Sequence, residues 1–532
     1  MRRREVLAAA ATLAAPCVGR AQPGLARPMA EPACGAVIGR TLTERRVHAF
    51  MGMPYAAPPL GPLRYAPPQP YARWTGLRDA GTPGAASIQT LSGAAAWLYE
   101  GADPQSEDCL FLNVWTPSVT GSRPVMVWLH GGAWRTGHGA VAGTNGARLA
   151  SQGDVVVVTV NYRLGALGWL GHPDLAEAGG PCANWGLQDQ VAALRWVQAN
   201  IAAFGGDPGR VTLFGQSAGG SSTASIAQDP RHAGLLHRAI IESGSLHGAP
   251  AFPELPTAAA YAEALARRLE TGVRGLRDVP ALALHRAELA LARDPGMVRS
   301  LGRPPVLPVL DGVSLRVWPR DGALAPVPLL IGTTMTEGTF WYDLVGPDGK
   351  VVPGLQPPQT AAELQAMIRD LAALYRPEAT ALDGIGAAYA AAALGRGGAD
   401  GPLPVWLAAY TDIVFRLRAR AAAARQAAAG QPVYLYEFEH PLVAPAHGVP
   451  HTAEIPFVFG TFADPFLAGK VGAGAGEGRL SMAMTTAWSR FAWEGTPGPG
   501  WAAWPKVNLL GGAGGVLAAR DGVRMEELAF WG

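Results

Sequence analysis

Residues Val155 to Val160 run as four valines, a threonine and a valine, bounded by Gly153-Asp154 and Asn161. A strand with one wet face alternates apolar and polar side chains. A run without alternation is buried on both faces, as in parallel sheets covered by helices on each side. Val125 to Leu129 and Val211 to Phe214 have the same character. Between those two, Leu187, Val191, Leu194 and Val197 recur at helical spacing within 187–202. Strand, helix, strand is the βαβ unit, so the chain is expected to be an α/β protein with a central, mostly parallel β-sheet flanked by helices. Further Ala- and Leu-rich helices are predicted near 258–270, 361–375 and 416–429, and a Gly-rich surface loop over 468–478. The Pro-rich segment from Pro54 to Pro70 is excluded from regular helix and from central strands, because proline lacks the N–H that both use. With no internal repeat and no long linker, 22–532 is expected to be one decorated domain.

The first residues look like an address. Arg2, Arg3 and Arg4 precede the apolar stretch Val6 to Ala15, and Gly19-Arg20-Ala21 offers small residues at the positions a signal peptidase recognises. Residues 1–21 are therefore expected to be a signal peptide cleaved after Ala21. Arg3-Arg4 before Glu5-Val6-Leu7 resembles a twin-arginine signal, which implies export of the folded protein to the periplasm or medium. The competing readings are a basic helical N-terminus that is retained, and a lipoprotein signal at Cys17, which Pro16 fits poorly. Loss of Arg2, Arg3, Arg4, Arg20 and Glu5 with the leader takes the formal net charge from +2 to −1. Near-neutrality argues against a nucleic-acid partner. Hydrophobic residues at 49% against 16% charged, in short separated runs, indicate a globular core, and no internal stretch is long and apolar enough to span a membrane. Cys34, Cys109 and Cys182 remain in the presumed mature chain without metal-like spacing, so at least one is free or intermolecular.

The chemistry centres on Gly215-Gln216-Ser217-Ala218-Gly219, which follows the apolar strand Val211 to Phe214 and precedes the small-residue run Gly220 to Ala227. That order places a serine on a tight strand-to-helix turn where a side chain at either glycine would clash. The following helix N-terminus adds a field that favours negative charge. His130-Gly131-Gly132-Ala133 comes directly after the strand Val125 to Leu129. Its small residues allow backbone N–H groups to point into a site, so Gly132 and Ala133, with Ala218, are the expected oxyanion-hole donors. His130 is expected to hold the loop. Residues alone leave the acid and base open. Glu337 competes with Asp311, Asp321 and Asp343, while His447 and His451 stand four positions apart.

The stretch Phe204-Gly205-Gly206-Asp207-Pro208 through Ser217-Ala218-Gly219 resembles the active-site signature of type-B carboxylesterases, the family of para-nitrobenzyl esterases and cholinesterases. Glu107-Asp108-Cys109-Leu110-Phe111-Leu112-Asn113-Val114 resembles its second signature. The likeness continues through Leu63-Arg64-Tyr65, Asn161-Tyr162-Arg163-Leu164-Gly165, Gly186-Leu187-Gln188-Asp189-Gln190 and the late segment Trp488 to Pro497. It implies an α/β-hydrolase fold, a Ser-Glu-His triad, a small-molecule ester substrate, and neither metal nor cofactor. By register it selects Glu337, in Thr336-Glu337-Gly338-Thr339-Phe340, and His451, three residues before Glu454-Ile455-Pro456-Phe457-Val458-Phe459-Gly460.

Ser217, Glu337 and His451 are thus the expected nucleophile, acid and base of a carboxylic-ester hydrolase working through an acyl-enzyme. The same family includes specialised lipase, polyester and carbamate hydrolases, and non-catalytic binding modules that typically lack the nucleophile. Arg64 with Glu107, and Arg163 with Asp189, resemble pairs that tie loops to the sheet, and Glu242 and Ser243 are expected behind the triad. In many relatives the cysteine of the second signature pairs with one about twenty residues upstream, where this chain has Ala85-Ala86-Ser87. Cys109 is therefore expected to lack its usual partner.

Overall fold

The computed structural model describes residues 27–531 apart from 100–101, 178, 295–305, 347, 353, 380–381, 383, 396–400, 446–447 and 514. The leader and its Cys17 lie outside the described residues. Eleven strands form the main sheet: β1 Arg40–Leu42, β2 Val47–Pro54, β3 Phe111–Thr116, β4 Arg123–Leu129, β5 Val156–Val160, β6 Gly206–Gln216, β7 Arg238–Glu242, β8 Leu329–Thr334, β9 Val433–Phe438, β10 Val507–Leu510 and β11 Leu517–Arg520. Their spatial order is β11-β10-β9-β8-β7-β6-β4-β5-β3-β2-β1. From β5 to β10 all neighbours are parallel, and the strands outside them, β1, β2, β3 and β11, pair antiparallel. A three-stranded sheet of Met29–Ala30, Val37–Ile38 and Arg78–Asp79 stands apart.

The unalternating apolar runs are explained by where their side chains go. On β4, Val125, Val127 and Leu129 enter one core cluster while Met126 and Trp128 enter another. Val156, Val158 and Val160 of β5 divide from Val157 in the same way. Successive side chains point to opposite faces, so both faces of the sheet are covered. The helices used below are α1 Ala147–Gly153, α2 Trp185–Asn200, α3 Ala218–Ala227, α4 Leu255–Arg268, α5 Ala361–Tyr375, α6 Pro402–Thr411, α7 Leu417–Ala428, α8 Pro465–Val471 and α9 Ala475–Glu494. Helix α2 brings Val191, Leu194 and Val197 to one face, and α9 brings Leu480, Met484, Trp488 and Phe491 to the other. Helices α5 and α6 bury Leu364, Ile368, Val405 and Trp406 in a cluster of their own. Among the described residues, no helix is long and apolar enough to cross a membrane.

The expected helices near 258–270, 361–375 and 416–429 are α4, α5 and α7. The expected Gly-rich loop over 468–478 is corrected. Chain direction changes only around Gly472–Gly474, between α8 and α9. Asp464 caps α8 by accepting from Phe466 N at 3.0 Å, Pro465 starts it, and Leu467 and Val471 anchor it in the core. Burial of those two side chains outweighs the low helix propensity of the interspersed glycines. The segment 54–70 follows its proline content, with β2 ending at Pro54 and a single short turn at Gly61–Leu63.

Two ion pairs tie loops to this frame. Arg163 grips Asp189 in a fork at 2.8 and 2.7 Å, fully buried, and Arg64 holds Glu107 at 2.6 Å while donating to the carbonyl of Leu276. Both are removed from the catalytic cavity described below, as expected of architectural pairs. Cys34, Cys109 and Cys182 are free, and burial holds the Cys109 thiol well above its ordinary pKa.

Candidate active site

The strand order reverses at β4, which has the later β5 on one side and the still later β6 on the other. At such a switch point the loops leaving the carboxyl ends of neighbouring strands diverge and open a crevice. Two functional loops leave there. The segment from His130 follows β4, and Ser217 follows β6.

Ser217 joins β6 to α3 with φ +58° and ψ −122°, a conformation that costs a non-glycine residue ~1–3 kcal/mol. It is held there from both sides. Ser217 N–H donates to the Glu242 carbonyl at 2.8 Å, and the Ser217 carbonyl accepts from Ser221 N–H at 2.9 Å. The flanking glycines are compulsory. A Cβ on Gly219 would stand 1.9 Å from the Leu129 carbonyl oxygen, and one on Gly215 would stand 2.6 Å from the Gly219 backbone.

The carboxyl ends of β8 and β9 supply the rest. Three residues beyond β8, Glu337 accepts from Ser243 Oγ at 2.7 Å and from Thr334 N–H at 2.8 Å, both on Oε1. Its Oε2 lies 2.6 Å from His451 Nδ1, and both side chains are buried. Nδ1 therefore carries the proton that Glu337 accepts, which leaves Nε2 with a lone pair. In this structure Nε2 accepts from the Gln216 amide, Nε2 to Nε2, at 3.0 Å. Trp341 and Phe415 flank the imidazole, each with its ring centre 4.9 Å away. Of the other candidate acids, Asp311 accepts from the N–H groups of Ser314 and Leu315, and Asp321 pairs with Arg320. His447 lies outside the described residues.

Gly132 and Ala133 take φ +104° and +53°, a left-handed turn in the loop after β4, and both line the cavity. Among the described residues, no acceptor takes the N–H of Gly132, Ala133 or Ala218. Gly132, Ala133, Ser217 and His451 line one cavity of about 360 Å³ with Leu98, Tyr99, Phe340 and Trp341. Three unengaged donors near a hydroxyl and an imidazole with a lone pair on Nε2 can stabilise the oxyanion of acyl transfer. His130 takes the other role expected of it. Its ring stacks on Tyr162 at 4.3 Å, its carbonyl accepts from the Tyr162 hydroxyl at 2.6 Å, and burial lowers its pKa to about 3.

Residues 26–526 match the model of the Carboxylesterase family. This chain belongs to the carboxylesterase family. It is 35% identical to a para-nitrobenzyl esterase of Bacillus subtilis (strain 168), over 88% of this chain and 90% of the relative. It is likewise 35% identical to a fumonisin B1 esterase of Sphingopyxis macrogoltabida, over 90% and 84%. The solved structure of a Geobacillus stearothermophilus carboxylesterase superposes with a TM-score of 0.77 at 32% identity, covering 95% of this chain and all of that one. The fold is that of α/β-hydrolases and the activity is carboxylic-ester hydrolysis.

The carboxylesterase site contains groups that its motifs did not announce. Gln216, to which the serine motif assigns no role, contacts the base directly. Glu454, read only as a register mark, is fully buried, and its carboxyl is held well above the ordinary range by burial and by the neighbouring Glu242 and Glu337. Glu242 accepts from Trp488 Nε1 at 2.7 Å through Oε1, its Oε2 is buried without a partner, and burial raises its pKa to about 8. Between its ordinary pKa of 4.5 and about 8, the folded protein keeps a proton on Glu242 that the unfolded chain has lost. Stability must therefore fall as pH rises across that window and level off above it. Glu242→Gln keeps an oxygen for Trp488 and has no proton to lose. We expect it to be more stable than the parent by ~4 kcal/mol at pH 8, with the difference shrinking toward pH 5. Urea unfolding at both pH values checks this, and equal stability at pH 8 would refute the protonated state.

Proposed function

We propose that Ser217 is the nucleophile of this carboxylesterase, His451 its general base and acid, and Glu337 the carboxylate that fixes the histidine tautomer. Gly132, Ala133 and Ala218 are the oxyanion donors. The observation that carries this reading is the chain of contacts from Ser243 and Thr334 through Glu337 to His451 Nδ1, which leaves a lone pair on Nε2 in a histidine that lines the same cavity as the elbow serine. As Ser217 Oγ bonds to the ester carbonyl carbon, its proton passes to His451 Nε2, which must first exchange the Gln216 amide for the serine hydroxyl. The carbonyl oxygen becomes an oxyanion held by the three amides. His451 then returns the proton to the departing alcohol oxygen as the C–O bond breaks, leaving the acyl-enzyme. Water repeats the sequence, losing its proton to His451, and the acid departs as Ser217 is reprotonated.

The substrate is an uncharged ester. Among the described residues lining the cavity there is no Asp, Glu, Lys or Arg, and its walls carry Leu98, Tyr99, Phe340, Trp341 and Leu355. A charged group entering it would give up hydration with no counter-ion in return. An alkyl fluorophosphonate is expected to label Ser217 stoichiometrically, as read by peptide mass spectrometry, and to abolish activity. A reagent carrying a carboxylate on its alkyl chain is expected to react at least ~10-fold more slowly, the cost of ~1.4 kcal/mol of lost solvation. Label on another residue would overturn the nucleophile, and equal rates would overturn the substrate class.

The export reading rests on Arg3-Arg4 and the apolar run after them. The protein is proposed to act in the periplasm or medium as a single domain beginning at Gln22. Mass spectrometry of the protein recovered from those fractions should find Gln22 at its N-terminus, and a cytoplasmic product retaining the leader would refute export.

A further inference from the structure

A second cavity, of about 590 Å³, lies between the turn that follows β1, the first residues of α1 and the segment 460–465, and shares no lining residue with the catalytic one. Arg148 enters it from α1. Its stem presses on Gly460, where a Cβ would stand 2.3 Å from Arg148 Cδ, and its guanidinium carbon lies 6.0 Å from the centre of the Phe462 ring. Arg148 Nε is buried with no hydrogen-bond partner, and among the described residues no carboxylate pairs with this side chain.

The neighbouring charge that acts on Arg148 has the same sign. It is Arg45, which lines the cavity from the turn after β1; burial first, and Arg45 after it, push the Arg148 pKa below the ordinary arginine value. Of the two carboxylates at the rim, Asp464 is engaged in capping α8, and Glu44 pairs with neither arginine. A half-buried guanidinium with an orphaned donor, facing a second cation, is costly in isolation. The planar fork of an arginine matches a carboxylate or phosphate, and either would relieve both the repulsion and the unmade hydrogen bond. The rest of the wall favours the carboxylate. Leu42, Ala142 and Pro465 offer an apolar surface that an organic acid can cover and a bare phosphate cannot.

We propose that this cavity is a second ligand site, which binds a small organic carboxylate with its head group on Arg148 and Arg45 and its apolar body along Leu42 and Pro465. Occupancy stabilises the folded chain by mass action and does not depend on the catalytic assignments. The test is thermal unfolding of the whole protein with benzoate, inorganic phosphate or sodium chloride at matched ionic strength. Millimolar benzoate is expected to raise the midpoint by about 2 °C or more over chloride.

Protein labelled at Ser217 by an alkyl fluorophosphonate, whose adduct fills the catalytic cavity, should keep that shift, which separates it from binding there. Arg148→Met should lose it while keeping ester turnover within about twofold, and without ligand its midpoint should equal or exceed the parent's, because the methionine stem still packs on Phe462 and no unpaired charge remains. Arg148→Lys, which keeps the charge and loses the fork with about one of its hydrogen bonds, should at least halve the shift. A benzoate shift that survives in Arg148→Met, or an equal shift with chloride, overturns the site. A lower unliganded midpoint for Arg148→Met shows a structural arginine and also overturns it. Greater stabilisation by phosphate than by benzoate overturns the carboxylate assignment.

Discussion

Ser217→Ala is expected to lower kcat for a nitrophenyl ester by at least ~10⁴-fold while leaving the melting transition within a few degrees of the parent. The hydroxyl contributes chemistry and little packing, since the residue sits at a partly open position lining the cavity. What positions residue 217 is its backbone, through the Glu242 carbonyl and Ser221 N–H, and alanine keeps both bonds. The residual rate should come from the oxyanion amides and substrate binding, which survive the substitution. A residual rate within tenfold of the parent, with the fold intact, would show that another residue attacks the ester.

His451→Ala is expected to cost as much as Ser217→Ala, and the double variant no more than either alone, because a serine without its base and a base without its serine are equally idle. The contact that decides this is His451 Nδ1 to Glu337 Oε2 at 2.6 Å, for Glu337 is itself fixed by Ser243 and Thr334. His447→Ala should reduce turnover by less than about tenfold, or ~1.4 kcal/mol of barrier. Additive losses in the double variant would mean that the two residues work in separate steps. A larger loss at 447 than at 451, in folded proteins, would move the base.

The sheet was legible in the sequence because a strand buried on both faces leaves an unmistakable record, as Val155 to Val160 and Val125 to Leu129 do. The serine turn and its donor loop were legible for a related reason. Glycine is demanded at 215 and 219 by close backbone approach, and only a small residue satisfies that. Glu337 is different, since nothing in its own neighbourhood marks it apart from Asp311 or Asp321, and only the family register selected it. Gln216, Trp341 and Phe415 were not legible as partners of His451. Their contacts join segments far apart in the chain, and no local pattern encodes which distant ring will face an imidazole. Residues 468–478 depart from the loop that their glycines predict because Leu467 and Val471 are buried, which is a tertiary fact.

The approach of Gly219 to the Leu129 carbonyl bears on how such an enzyme can diverge. It locks the nucleophile turn against the strand that launches the donor loop, main chain on main chain, with no side chain between them. The spacing between attacking oxygen and amide donors is therefore insulated from substitutions in the cavity walls. Leu98, Tyr99 and Leu355 can be exchanged to admit new esters while the machinery that breaks the bond keeps its dimensions, so selection or engineering for a new substrate should find its productive changes in those walls.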